Sequence, residues 1–153
     1  MNEDASHTPD RMRQHPEQRF RGEQRKIDLN VATEALRAES RAGSGGGQRQ
    51  TTLYKDGDVT IALFLFEPGG GLAQHKAAGT VSIHALEGRL RVTAGGAGSA
   101  GGAGSTESYD LNAGQLVVLA PGVPHDVVAT GEAPSRMLLT VHLVPAAPPP
   151  VRT

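Results

Sequence analysis

The chain has 153 residues, of which 37% are hydrophobic, with 20 glycines, 10 prolines, no cysteine and a formal net charge of −1. That is enough for one domain of ordinary size, and the near-neutral charge argues against a nucleic-acid binder that works through bulk charge. Without cysteine there is no disulfide framework, no thiolate metal site and no thiol catalysis.

Residues 1–26 are polar throughout. Arg11, Arg13, Arg19, Arg21, Arg25 and Lys26 interleave with Glu3, Asp4, Asp10, Glu17 and Glu23. Such a segment buries too little apolar surface to offset its ordering entropy, so a disordered tail is expected. His7 and His15 fall in it and are set aside. Residues 27–50 read as a short helix over 27–42 followed by a Gly-rich linker. Asp28 or Asn30 can cap the helix, and Val31, Ala35 and Leu36 give a narrow apolar stripe. A helix this short is marginal alone and should pack on the domain or on a neighbouring subunit.

From Thr51 the pattern turns to β. Expected strands are Thr51–Lys55, Val59–Phe66, Leu72–His75, Val81–Ala85, Arg89–Thr93, Glu107–Leu111, Leu116–Leu119, Val127–Val128 and Arg136–Val144, with Gly/Pro-rich turns between them. Residues 94–105 are a low-complexity Gly/Ala/Ser segment, read as an expanded hairpin connection. Residues 145–153 are a Pro-rich tail. The unit at 51–144 carries five Lys/Arg against eight Asp/Glu, so it is mildly acidic. Many short strands with such turns imply an all-β sandwich or barrel.

Gly114–Val128 organises this unit. Leu116-Val117-Val118-Leu119 is a short apolar strand, Pro121-Gly122 a tight turn, and Pro124 stiffens the approach to His125. An imidazole is thereby held at a strand start, at the mouth of a β-barrel.

Pro68-Gly69 through Gly88, and then Gly114 to His125, resemble the paired motifs of the cupin superfamily, G-x5-H-x-H-x3-4-E-x6-G and G-x5-P-x-G-x2-H-x3-N. Gly69, His75 and Gly88 match the first motif; Gly114, Gly122 and His125 match the second. Ala77 stands where the second His would be, Val81 where the Glu would be, Ala120 at the Pro and Ala129 at the Asn. The resemblance covers about residues 51–144 and implies a single jelly-roll β-barrel. Together with the N-terminal helix and disordered ends, this sets the expected fold class as all-β.

The same resemblance implies a divalent metal (Zn, Fe, Mn or Ni) inside the barrel, normally held by three His and one Glu. Only His75 and His125 of that set are present, so a metal would be held weakly unless other groups join. His84 and His142 are the candidate additional ligands. Each alternates with apolar neighbours that prefer the core, which turns both outward. Lys76, Asp126 and Gln74 alternate to the outer face, and Glu67 and Glu87 sit at turns and are expected to face solvent. The pocket is expected to be lined by Ala73, Ala77, Val81, Ile83 and Val127, with His75 and His125 as polar anchors.

Three functions fit this pattern. The first is a small-molecule-binding cupin with a depleted metal shell. The second is a metal-dependent enzyme of dioxygenase, isomerase or lyase type. The third is a dimeric interaction module, since cupins commonly dimerise through a sheet, and a homodimer is expected. Whether the chain is an enzyme is not decided by these residues. No G-x-S-x-G or His-Glu-x-x-His motif is present, and the Gly-rich segment at 94–105 lacks the Lys and the strand-to-helix context of a phosphate loop. No apolar run approaches the ~20 residues needed to span a bilayer, and the N-terminus lacks the apolar stretch of a signal peptide. A cytoplasmic protein without nucleic-acid or membrane partners is expected.

Overall fold

The computed structural model describes residues 24–39, 47–96 and 105–143. The readings for the polar tail, the linker at 43–46, most of the Gly-rich segment and the Pro-rich tail fall outside those residues. The elements are helix α1 (Leu29–Ala38) and strands β1 (Gln48–Asp56), β2 (Val59–Phe66), β3 (Gly71–His75), β4 (Gly79–Glu87), β5 (Arg89–Gly95), β6 (Thr106–Asn112), β7 (Leu116–Leu119), β8 (His125–Ala129) and β9 (Ser135–Leu143). Every expected strand is present, most of them a residue or more longer than read. The first starts at Gln48, inside what the composition marks as linker.

The strands form two antiparallel sheets, β1-β2-β9-β4-β7 and β3-β8-β5-β6. They face each other as the two layers of a jelly roll, and strict alternation sorts their residues. Val81, Ile83 and Ala85 of β4, Leu90, Val92 and Ala94 of β5, and Val127 and Ala129 of β8 all point inward, into one core with Phe64, Phe66 and Met137.

Strand β2 departs from alternation because both of its faces are covered. Ala62, Phe64 and Phe66 enter the core between the sheets. Ile61, Leu63 and Leu65 pack on the other side against Leu36 and Leu29 of α1. Its continuous apolar run is therefore a record of double burial. Leu36 is 1% exposed, and burying one leucine stabilises by roughly 1.5–3 kcal/mol.

The helix is fixed at both ends. The Asp28 side chain accepts from the backbone N–H groups of Asn30 (2.9 Å) and Val31 (3.1 Å), as an N-cap does. At the other end the Arg49 guanidinium donates to the carbonyls of Leu36 (3.2 Å) and Arg37 (2.8 Å), and to Glu67 at 3.3 Å. This places a cation on the negative end of the helix dipole. Arg136 donates to Thr33 Oγ1 at 3.1 Å and lies 3.5 Å from Glu87, which also pairs with Arg37 at 3.6 Å. Two sequence readings are corrected here. Glu87 faces solvent as expected and Glu67 is half-buried, but both also hold the arginines that strap the helix. Val31 and Ala35 face away from the sheet, Val31 being 67% exposed, and the docked stripe is Leu29, Ala32 and Leu36.

Gly88 joins β4 to β5 at φ +78, and a Cβ there would sit 2.3 Å from Ser135 Oγ. Ser135 is fully buried; its hydroxyl accepts from Arg89 N and donates to Arg89 O, both at 3.1 Å. The turn and the start of β9 are thus locked together. A Gly88→Ala variant should lose at least about 1–2 kcal/mol from the left-handed backbone alone, read as a lower urea midpoint at unchanged slope.

Candidate functional site

The turn before β8 sets the site. Pro121-Gly122 bends the chain, with Gly122 at φ +79. The Gly122 N–H donates to the Ala77 carbonyl at 2.9 Å, and the Gly95 N–H donates to the Pro124 carbonyl at 2.9 Å. His125 is thereby anchored from both flanking connections. It opens β8, paired with His75 of β3 on one side and Ala94 of β5 on the other.

The two imidazoles meet edge to face, with ring centroids 4.4 Å apart and planes at 61°. His125 is 2% exposed, whereas His75 is open to solvent. Each ring is held by a backbone carbonyl two residues earlier: His75 Nδ1 lies 2.8 Å from Ala73 O, and His125 Nδ1 lies 2.9 Å from Val123 O. A carbonyl only accepts, so each Nδ1 donates. Both neutral rings therefore keep Nε2 as a bare acceptor. On His125 this atom is buried with no partner among the described residues. Burial pushes the His125 pKa below its ordinary 6.5. The Val123 carbonyl and Asp126 oppose that shift, and the neighbouring His75 adds to it.

The inner face of the four-stranded sheet continues past this pair. Its register runs His75–His125–Ala94–Glu107, with Leu72–Val127–Val92–Tyr109 one row deeper. Tyr109 donates its hydroxyl to Glu107 Oε2 at 2.5 Å, and that carboxylate raises the phenol pKa. The sequence reading left Glu107 and Tyr109 without a role. The signal was present: Leu111 is an inward position, and counting back by two places Tyr109 and Glu107 on its face.

The remaining expectations divide. Val127, Val81 and Ile83 are 1%, 2% and 0% exposed. They are packed core beneath the site rather than an open lining, because the two sheets close on each other there. Ala77 is half-buried against the core. Ala73 is exposed and lines nothing. His84 pairs with Leu138 and Leu116, and His142 with Val59 and Thr80. Both alternate with inward-facing residues and lie on the outer face of the five-stranded sheet, with the sheet itself between them and the His75–His125 pair. They are not additional ligands to that pair.

A divalent metal would find two imidazoles here and, at the other two positions of the usual shell, Ala77 and Val81. No group of three or more metal-capable side chains occurs among the described residues. First-row divalent ions in catalytic sites usually take three protein ligands, so the residues present do not fit the family's metal. A separate concavity of about 360 Å³, lined by Arg89, Arg91, Asp110, Asn112 and Thr130, lies at the opposite end of the four-stranded sheet.

Residues 62–141 match the family model described as "Cupin domain". The chain belongs to the cupin family. No match is found among curated proteins. Among solved structures, a cupin superfamily protein from Desulfitobacterium hafniense is similar at TM-score 0.56 and 17% identity, covering 82% of this cupin and 96% of that chain. Oxalate oxidase in complex with glycolate is similar at TM-score 0.59 and 19% identity, covering 71% and 57%. The cupin domain of Schizosaccharomyces pombe Cnp3 is similar at TM-score 0.53 and 13% identity, covering 63% and 65%. At these identities the likeness concerns the fold. No helix among the described residues is long and apolar enough to cross a membrane.

The depressed His125 pKa has a definite consequence. On acidification the unfolded chain takes up this proton near pH 6.5, and the folded chain resists it until lower pH. The cupin should therefore lose stability as pH falls through and below 6.5. Urea unfolding at pH 7.5 and 5.5 should show a smaller loss in His125→Phe than in wild type.

Proposed function

We propose that this cupin binds a small molecule at the mouth of the sandwich, with His75 and His125 as its polar anchors. The observation that carries this reading is the His125 Nε2 atom, buried without a hydrogen-bond partner among the described residues. An unsatisfied buried acceptor costs about 1–3 kcal/mol, and a donor brought by a ligand would recover it. The apolar floor beneath the pair and the few polar groups above it match the make-up of small-molecule sites. The reading favours a binding protein over a metal-dependent enzyme, because the donor set falls short of a catalytic metal shell.

The test is a fragment screen followed by ¹H–¹⁵N NMR. A binder should shift amides at Ala77, Ala94 and Val127, and His125→Ala should weaken it about tenfold or more, as losing one buried hydrogen bond does. Compounds that bind only elsewhere, or that ignore both His75→Ala and His125→Ala, would refute it.

We also propose that the protein forms a homodimer through the β7 edge. Leu116 and Val118 are 52% and 57% exposed there, and residues Leu111–Pro124 carry no charge. Of the other edge strands, β1 and β6 carry charged residues of the kind that block edge pairing, and β3 carries none but lacks the exposed large apolar residues of β7. Sedimentation at micromolar concentration should give a dimer, and Val118→Glu a monomer. A monomeric wild type would contradict this.

A further inference from the structure

The inner-face row that begins at His75 and His125 ends on a carboxylate. Glu107 lies on the same face as His125 and two strands away, about 10 Å at the usual spacing between strands. The residue between them is Ala94, 6% exposed, whose side chain is a single methyl group. Tyr109, one row deeper, holds Glu107 through Oε2. A carboxylate offers about four lone-pair sites, so this one bond leaves most of its acceptor capacity in place.

All three groups at the mouth present acceptors. In the neutral rings the Nε2 atoms of the two histidines are acceptors, because the one ring proton is committed to Ala73 O or Val123 O. Glu107 adds a negative charge. The charged residues at the same end of the sandwich are Asp56, Asp58, Glu107 and Asp126 against Lys55 and Lys76, so the surrounding field is negative. An anionic ligand would meet repulsion here and would leave the buried His125 Nε2 without a donor. A ligand with a cation at one end and a donor at the other satisfies both Glu107 and His125, leaving His75, which is open to solvent.

We propose that Glu107, positioned by Tyr109, is the cation-binding end of the mouth pocket, and that the ligand is a small amine. Its ammonium group rests on Glu107 and an N–H or O–H at its other end donates to His125 Nε2. This rests on the ligand-binding reading above and assigns that ligand its chemical class.

The experiment compares three probes of matched length: 4-aminobutan-1-ol, 1,4-butanediol and 4-hydroxybutanoate. Each is titrated into the full chain and followed through the amides of Ala94, Val127 and Tyr109. The amine should bind about tenfold tighter than the diol, the advantage of a charge-assisted hydrogen bond, and the carboxylate more weakly than either. Added salt should erode the preference. Glu107→Gln should abolish the preference, weakening the amine far more than the diol, and leave the wild-type spectrum of the core unchanged. Tyr109→Phe should weaken the amine less than Glu107→Gln does and leave the diol unaffected. A diol or carboxylate that binds as tightly as the amine, an amine preference that survives Glu107→Gln, or an amine that moves none of these amides would each overturn the proposal. If the fragment screen then yields a mouth ligand of another class, the pocket stands and only the amine assignment falls. If no compound of any class moves these amides, the pocket reading falls as well.

Discussion

An imidazole that is almost fully buried, with one nitrogen bound to the backbone and the other without a partner among the described residues, is the constraint around which this cupin's mouth is arranged. His125 cannot rotate to find a partner. Its Nδ1 is held by the Val123 carbonyl, and its strand is clamped between β3 and β5. The Pro121-Gly122 turn, with its hydrogen bond to Ala77, fixes where the strand begins. The neighbouring sheet supplies only apolar side chains beneath it. Among the described residues nothing satisfies this buried acceptor.

This arrangement separates two properties that the family resemblance joins. The fold needs Gly88 at its turn, the paired sheets and an apolar interior, and all are present. The metal needs further donors on β4 and on the connection leading into it, and Ala77 and Val81 supply none. Replacing donors by apolar residues costs the fold nothing, because these positions lie against a core that accepts methyl groups. A jelly roll can therefore retain two histidines and recruit other groups on the same face to a different task. Glu107 and Tyr109 come from β6, the strand at the far edge of the sheet, and owe nothing to either motif.

Much of the architecture was legible in the chain. Val59–Phe66 and Leu116–Leu119 carry their strand character in composition alone, and the Gly/Pro turns punctuate them. Alternation along Val81–Ala85 was enough to turn His84 outward, away from the site. What escaped was information held by partners distant in sequence. Glu67 and Glu87 look like turn residues until Arg49 and Arg136 are brought beside them. The helix carries apolar residues on two sides, and the curvature and side chains of the sheet select Leu29, Ala32 and Leu36 over Val31 and Ala35. Glu107 was missed because β6 is largely polar, with Leu111 as its one buried position, so its inward face is marked by a single residue.

The central claim concerns where protons sit. If His125 donates through Nδ1 to the Val123 carbonyl and its ring is neutral, its Nε2 is an unprotonated acceptor, ready for a donor. Histidine side-chain ¹⁵N NMR, with His75 and His125 assigned by single substitutions, reads this directly. The account predicts a pyridine-like Nε2 and a protonated Nδ1 on His125 at pH 7.5, with its pKa below the ordinary 6.5. A protonated Nε2 on His125 at that pH would contradict it, because the mouth would then offer a donor where the proposed ligand needs an acceptor.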